Sequence, residues 1–248
     1  MVYITGDCHG DFSRFTTRNF PAEKEMTKND IVIICGDFGG VWSNSNEEKY
    51  WLKWLDEKPF TTLFVDGNHE NFDLLYSYPI VDLFGGKAHK IRDSVYHLMR
   101  GYVFTIQGKK FFAFGGASSH DIQDGILDPF AENFRTKYVQ WNKQGKMFRV
   151  NRISWWKEEL PTREEIAFAE ETLAENDYEV DYVVTHCCPQ EIASFYSRGE
   201  FKSDILTTWF NEIAQKLSFK HWYFGHYHDN RDFFLAYHMR YEMIERIL

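Results

Sequence analysis

Five short apolar runs in this chain each end on a block of glycine, aspartate, asparagine or histidine, and this recurrence limits the fold more than any other feature. The runs are Val2–Thr5, Ile31–Cys35, Thr61–Val65, Val180–Thr185 and Lys220–Phe224. The blocks read GDCHGD (Gly6 to Asp11), GDFGG (Gly36 to Gly40), GNHE (Gly67 to Glu70), THCCP (Thr185 to Pro189) and FGHYH (Phe224 to His228). Short apolar strands alternating with helices predict a parallel βαβ core, hence an α/β fold. Loops leaving the carboxyl ends of neighbouring parallel strands converge on one crevice. The side chains delivered there offer oxygen and imidazole nitrogen, a donor mix suited to divalent transition metals.

The remaining pattern fills in the alternation. Phe12–Asn19 is expected as a helix, and so is Asn46–Glu57, with Tyr50, Trp51, Trp54 and Leu55 on one face. Partial alternation over Lys87–Met99 suggests β structure. Tyr102–Ile106 and Lys110–Gly115 flank Gln107-Gly108-Lys109 as a hairpin. Residues 116–159 show little periodicity and read as a long, insertion-like loop within one domain spanning 1–248. Thr162 and Glu165 form a capping box that opens a helix to about Ala174. Asp204–Leu217 is a helix with Ser203 as its cap, and Asp232–Tyr241 is terminal β structure.

With 248 residues the chain can bury a substantial core, and at 18% aromatic that core should rest on Phe, Tyr and Trp. No apolar run approaches the ~20 residues of a membrane span. A first strand at Val2 leaves no room for a signal peptide. The expectation is a soluble, cytoplasmic protein. Cys8, Cys35, Cys187 and Cys188 form no C-x-x-C pair, and small buried thiols in a reducing compartment is the favoured account of them. A net charge of −9 argues against general attraction to nucleic acid.

The ordered set D-x-H, GD, GNHE, H and GHxH resembles the calcineurin-like metallophosphoesterases, and the resemblance runs from Asp7 to His228. It implies a four-layer α-β-β-α sandwich and two divalent metal ions such as manganese, iron, zinc or nickel. It implies Asp37 as the carboxylate bridging the two metals, completed by Asp7, His9 and His228 on one and by Asn68, His186 and His226 on the other. Taken singly, Asp7, Asp37 and Asn68 beside glycine would read as turn residues; the ordered set reverses that preference. His69 would stand over the site as the proton donor to the leaving oxygen. His89, His97, His120, His221 and His238 lack such neighbours and are assigned to structure or surface.

The chain departs from the family's protein Ser/Thr phosphatases, which carry GDxxDRG. Here Gly40 replaces the second aspartate and no arginine follows, so the usual partner of the site histidine and the usual phosphate grip are missing. Glu47, Glu70 or Asp73 could orient His69. A substitute grip could come from the segment between Asn133 and Lys157, which has several Lys and Arg, no acidic residue and interleaved aromatics. Arg149 and Arg152 are its candidates, with Arg198 and Arg231 after other blocks. Ser118, Ser119 and Asp121 could also line the crevice. The expected activity is metal-dependent hydrolysis of phosphodiesters or small phosphomonoesters, nucleotides among the candidates, by a water activated between two metals. A nuclease and a non-catalytic metal-binding scaffold are the rivals.

Overall fold

The computed structural model describes residues 1–248. One sheet has the order β15 (Glu245–Arg246), β1 (Val2–Thr5), β2 (Ile31–Ile34), β3 (Thr61–Phe64), β6 (Val95–Leu98), β5 (Gly86–Arg92), β4 (Ile80–Leu83). The other runs β13 (Arg231–Phe233), β14 (Tyr237–Met239), β12 (His221–Phe224), β11 (Tyr182–Thr185), β8 (Lys109–Phe114), β7 (Tyr102–Ile106). β1, β2 and β3 are parallel, and so are β8, β11 and β12. A small parallel pair, β9 (Gly125–Leu127) with β10 (Phe148–Val150), stands apart from both sheets.

The period-2 alternation of strand side chains sorts the core into layers. Val2, Ile4, Ile31 and Ile33 pack with Phe111, Ala113, Tyr182 and Val184 of the other sheet, forming the seam between the two. Their neighbours Tyr3, Val32 and Ile34 face the opposite way, into a cluster with Leu52 and Leu55 of α1 (Asn46–Asp56) and Phe72 and Leu75 of α2 (Phe72–Leu75). On the far side, Phe112, Phe114, Val183 and Trp222 pack against α4 (Arg163–Glu175), α5 (Gln190–Ser197) and α6 (Ile205–Ala214). α3 (Phe134–Lys143) lies outside these layers and buries no residue. Helix, sheet, sheet, helix is the expected four-layer sandwich. No helix is long and apolar enough to cross a membrane.

Several local expectations are corrected. Phe12–Asn19 yields only a 3₁₀ turn at Ser13–Phe15. Thr16 Oγ1 and Asn19 Nδ2 both donate to the Ser13 carbonyl, at 2.9 and 3.0 Å, and side-chain bonds of this kind compete with helix continuation. In α1 the buried face is Leu52 and Leu55, while Tyr50 is 61% exposed. α6 is capped by Asp204, whose carboxylate accepts from Thr207 N at 2.8 Å, rather than by Ser203, and it ends before Leu217. Residues 116–159 are not a loop: they hold β9, α3 and β10. Three-residue strands and a helix with no buried side chain leave no apolar period to read. α5 had no counterpart in the sequence reading.

Candidate metal centre

The blocks after β1, β2, β3, β11 and β12 meet at one end of the two sheets. Asp7, His9, Asp37 and His228 offer ligand atoms that all lie within 4.8 Å of one another. His228 Nε2 stands 3.2 Å from Asp7 Oδ2 and 3.0 Å from His9 Nε2. His9 Nε2 is 3.8 Å from a carboxylate oxygen of both Asp7 and Asp37. On the other side of Asp37, its Oδ1 is 3.3 Å from His186 Nε2, which is 3.3 Å from Asn68 Oδ1. Asp37 therefore has candidate donors on both sides, the position a bridging carboxylate needs.

Neighbouring groups set which atom each side chain presents. His186 Nδ1 donates to the Cys35 carbonyl at 2.8 Å, which fixes the ring with Nε2 facing Asp37. Asn68 Nδ2 donates to Ser119 Oγ at 3.4 Å, which turns its amide oxygen to the same space. Asp37 Oδ1 accepts from His69 N at 2.8 Å, and Asp7 Oδ1 accepts from His226 N at 3.0 Å. Gly67 and Gly225 permit this crowding: a Cβ would fall 2.1 Å from Asp37 Oδ1 at the first and 2.0 Å from Asp7 Oδ1 at the second. His9, Asp37, His226 and His228 all have left-handed backbones, with φ of 48°, 44°, 70° and 52°. Such strain in non-glycine residues concentrates at functional sites, where surrounding contacts hold it.

Asp7 and Asp37 are buried, and neither forms an ion pair with lysine or arginine. Burial pushes His186 down, but Asp37 more than offsets this and raises its pKa to about 10. The same contact, against the effect of burial, holds the Asp37 carboxyl well below its ordinary range. Two buried carboxylates ringed by imidazoles and an amide oxygen fit divalent cations in donor type and in charge. The cysteines do not contribute: all four are free and buried, and burial pushes the Cys8 and Cys188 thiols up to about 12.

His69 lies beside this cluster, its ring 5.1 Å from that of His9. Its ring nitrogen partner is none of Glu47, Glu70 and Asp73. Glu70 accepts from Phe38 N at 2.7 Å, and Asp73 accepts from Trp156 Nε1 at 2.8 Å and pairs with Arg152. The neighbour is Arg149, whose Nη2 is 3.2 Å from His69 Nε2. Guanidinium groups only donate, so Nε2 accepts there. Arg149 is itself fixed by Asp121 Oδ1 at 2.7 Å and the Ser154 carbonyl at 2.9 Å. Gly40 also has a physical reason: a Cβ there would lie 2.6 Å from the Phe38 ring and 3.0 Å from Phe12.

The other three arginines named from sequence do not reach the site. Arg152 is held by Asp73 and Glu158, Arg198 is an exposed left-handed cap of α5, and Arg231 is exposed over the Phe233 ring. Ser118 and Ser119 line the crevice beside His226, with Ser119 accepting from Asn68, whereas Asp121 acts only by holding Arg149. His120, assigned to structure or surface, instead places Nε2 2.8 Å from His226 Nε2. The four residues from Ser118 to Asp121 follow the Gly115-Gly116 turn by one residue, Ala117, just beyond the end of β8, and that strand-end position is the available signal.

Two cavities open on opposite flanks of the cluster. One, of about 380 Å³, is lined by His9, His69, Gly40, Trp42 and Trp51. The other, of about 720 Å³, is lined by His226, His120, Phe201, Tyr227 and Lys202.

The sequence matches the calcineurin-like phosphoesterase family over residues 1–230, and the chain belongs to that family. The domain is thus of the calcineurin-like phosphoesterase class. Among curated proteins it is similar to lariat debranching enzyme A of Xenopus laevis, 26% identical over 143 residues, covering 51% of this chain and 26% of that protein. The lariat debranching enzyme of Danio rerio is 25% identical over 143 residues, 51% of this chain and 24% of that protein. That of Gallus gallus is 22% identical over 258 residues, 92% of this chain and 42% of that protein. The chain spans less than half the length of these relatives.

Proposed function

We propose that residues 1–248 act as one domain that hydrolyses phosphodiesters at a centre of two divalent metal ions. The observation that carries the diester reading is the pair of cavities flanking the cluster. A diester has two groups on phosphorus to place, whereas a monoester needs room for one. In this reading Asp37 bridges, with Asp7, His9 and His228 on one ion and Asn68, His186 and His226 on the other. Bound divalent cations supply the means to acidify water near neutral pH and to offset charge on the phosphoryl oxygens.

The chain's own residues do the rest. Arg149 Nη2 meets His69 Nε2 on one flank of the cluster. A phosphoryl oxygen entering there would take the Arg149 N–H, freeing His69 Nε2 to take up a proton from solvent and pass it to the leaving oxygen. Trp42 and Trp51 wall the cavity on that flank and give an apolar surface to the leaving group. The lariat debranching enzymes among the relatives support the choice of diesters and place a lariat among the substrates to try.

Within the class, a nuclease that tracks a strand is disfavoured. Lys146, Arg149 and Arg152 of the basic segment are paired with Asp124, Asp121 and Asp73, which offsets part of the positive charge that such tracking would use. The test is turnover of a chromogenic diester, a chromogenic monoester, a phosphopeptide and a lariat RNA with manganese, iron, zinc or nickel. Diester turnover should exceed both monoester and phosphopeptide turnover. A faster monoester, or no turnover with any of the four ions, would overturn the reading.

A further inference from the structure

We propose that His120 is a positioning residue for the metal centre: it holds His226 so that Nδ1, not Nε2, is presented to the metal. The inference rests on the dinuclear reading above and adds a residue to it. A metal-ligating histidine has two ring nitrogens, and the one that does not bind metal generally donates to a fixed partner. His186 shows the pattern, with Nδ1 tied to the Cys35 carbonyl. For His226 the partner is His120, at 2.8 Å between the two Nε2 atoms. One of the two must donate and the other accept. If His226 Nε2–H donates, its Nδ1 lone pair is the one left for the ion.

A second histidine pair in the cluster offers the contrasting case. His9 and His228 also approach Nε2 to Nε2, at 3.0 Å, but each of those nitrogens lies within 4.0 Å of an Asp7 carboxylate oxygen. That pair converges on an anionic site. No carboxylate comes within 4.0 Å of a ring nitrogen of His120 or His226, so no anion flanks the contact itself to draw a cation between the two Nε2 atoms. The contact is a hydrogen bond between neighbouring rings rather than a shared ligand position.

The His120 ring is itself held in place. It stacks on Phe201, with centroids 5.0 Å apart and planes at 19°, and leans over His226 at 4.7 Å and 32°. Phe201 in turn stacks on Tyr227, the residue between the two histidines of the FGHYH block. One aromatic stack thus connects the loop after β8 with the loop after β12, and His226 is fixed from a strand other than its own.

The test is calorimetric titration of manganese into chelated, full-length wild-type protein and its His120→Ala and His120→Gln variants. His120→Ala should weaken one of two manganese-binding events by about 10- to 100-fold, the usual cost of losing a group that orients a ligand. His120→Gln keeps an acceptor oxygen and should recover part of that loss. Cobalt-loaded His120→Ala should keep the wild-type visible absorption, because no donor atom leaves the ions. Manganese affinities within about twofold of wild type in both variants would overturn the inference alone, as would a cobalt spectrum showing a lost nitrogen donor. Wild-type protein that takes up fewer than two ions would overturn the dinuclear reading and this inference with it. Turnover is not the readout, so a protein that binds two ions but fails to cleave diesters would contradict the substrate proposal only.

Discussion

Asp37 and His69 are separated by one hydrogen bond, from His69 N to Asp37 Oδ1, yet should fail in different ways when replaced. Asp37→Asn keeps the size and an acceptor oxygen but removes the charge shared between the two sides of the cluster. Metal analysis should show manganese affinity falling by more than the roughly tenfold lower bound for loss of a mere orienting group; two tightly held ions in the variant would remove Asp37 from the bridge. His69→Ala should retain metal and lose about 10²–10⁴ in rate on esters with a poor leaving group. With p-nitrophenolate, which hardly needs a proton, the loss should shrink, and an equal loss across leaving groups would exclude proton donation. Asp66, directly before the GNHE block, has a structural part. It is fully buried and accepts from Arg100 Nε at 3.0 Å and from His97 Nε2 at 3.0 Å. Burial would raise its carboxyl, but Arg100 and His97 hold it well below the ordinary range. Its contribution is therefore complete above the unfolded value near ~3.9 and is lost as pH falls toward the depressed folded value. Asp66→Asn leaves buried Arg100 with only the longer 3.6 Å pair to Glu165 and should cost about 3 kcal/mol in urea unfolding at pH 7. Below about pH 4 the gap between variant and wild type should narrow; a constant gap would contradict this account.

At the scale of elements, the β9–α3–β10 segment is the part least expected from its sequence and the one that brings Arg149 to His69. Arg149 lies in β10, and its side chain is clamped by Asp121 from the loop after β8. Arg152 lies two residues past the same strand, has a left-handed backbone with φ 54°, and turns away to Asp73 and Glu158. The two arginines should therefore separate cleanly. Arg149→Met should raise KM for diesters by roughly 10- to 100-fold, the equivalent of a charged hydrogen bond of about 1.5–3 kcal/mol. Arg152→Met should change KM by less than about twofold, since its charge is spent on surface pairs. Steady-state kinetics on both variants decides, and equal effects would return the segment to a general electrostatic role. Elements built from local signals were legible. The Thr162–Glu165 capping box, with Glu165 N donating to Thr162 Oγ1 at 3.1 Å, opens α4 where its sequence predicts. α3 was not legible, because a helix that buries nothing has no apolar face to reveal it.

Across the whole molecule, two sheets back to back bring six loops to one end, and the cost of crowding two carboxylates there should show in stability. Chelated protein should be inactive and should melt about 5–10 °C lower than protein with manganese at roughly a hundred times its dissociation constant. Calorimetry with and without chelator measures this, and identical melting with full activity after chelation would refute a metal requirement. The ligand-bearing strands, the order of the ligand blocks and the donor types were determined by the sequence alone. Each is a property of a few adjacent residues: an apolar run, a glycine turn, an aspartate or histidine just beyond it. The tertiary structure alone decided which groups surround those donors. Gly40 is needed because Phe12 and Phe38 fill the space a side chain would take. His69 meets Arg149 across 80 residues, and His226 meets His120 across 106. Contacts of that separation depend on how the sheets pack and where each loop is tied, and no local pattern of residues records either.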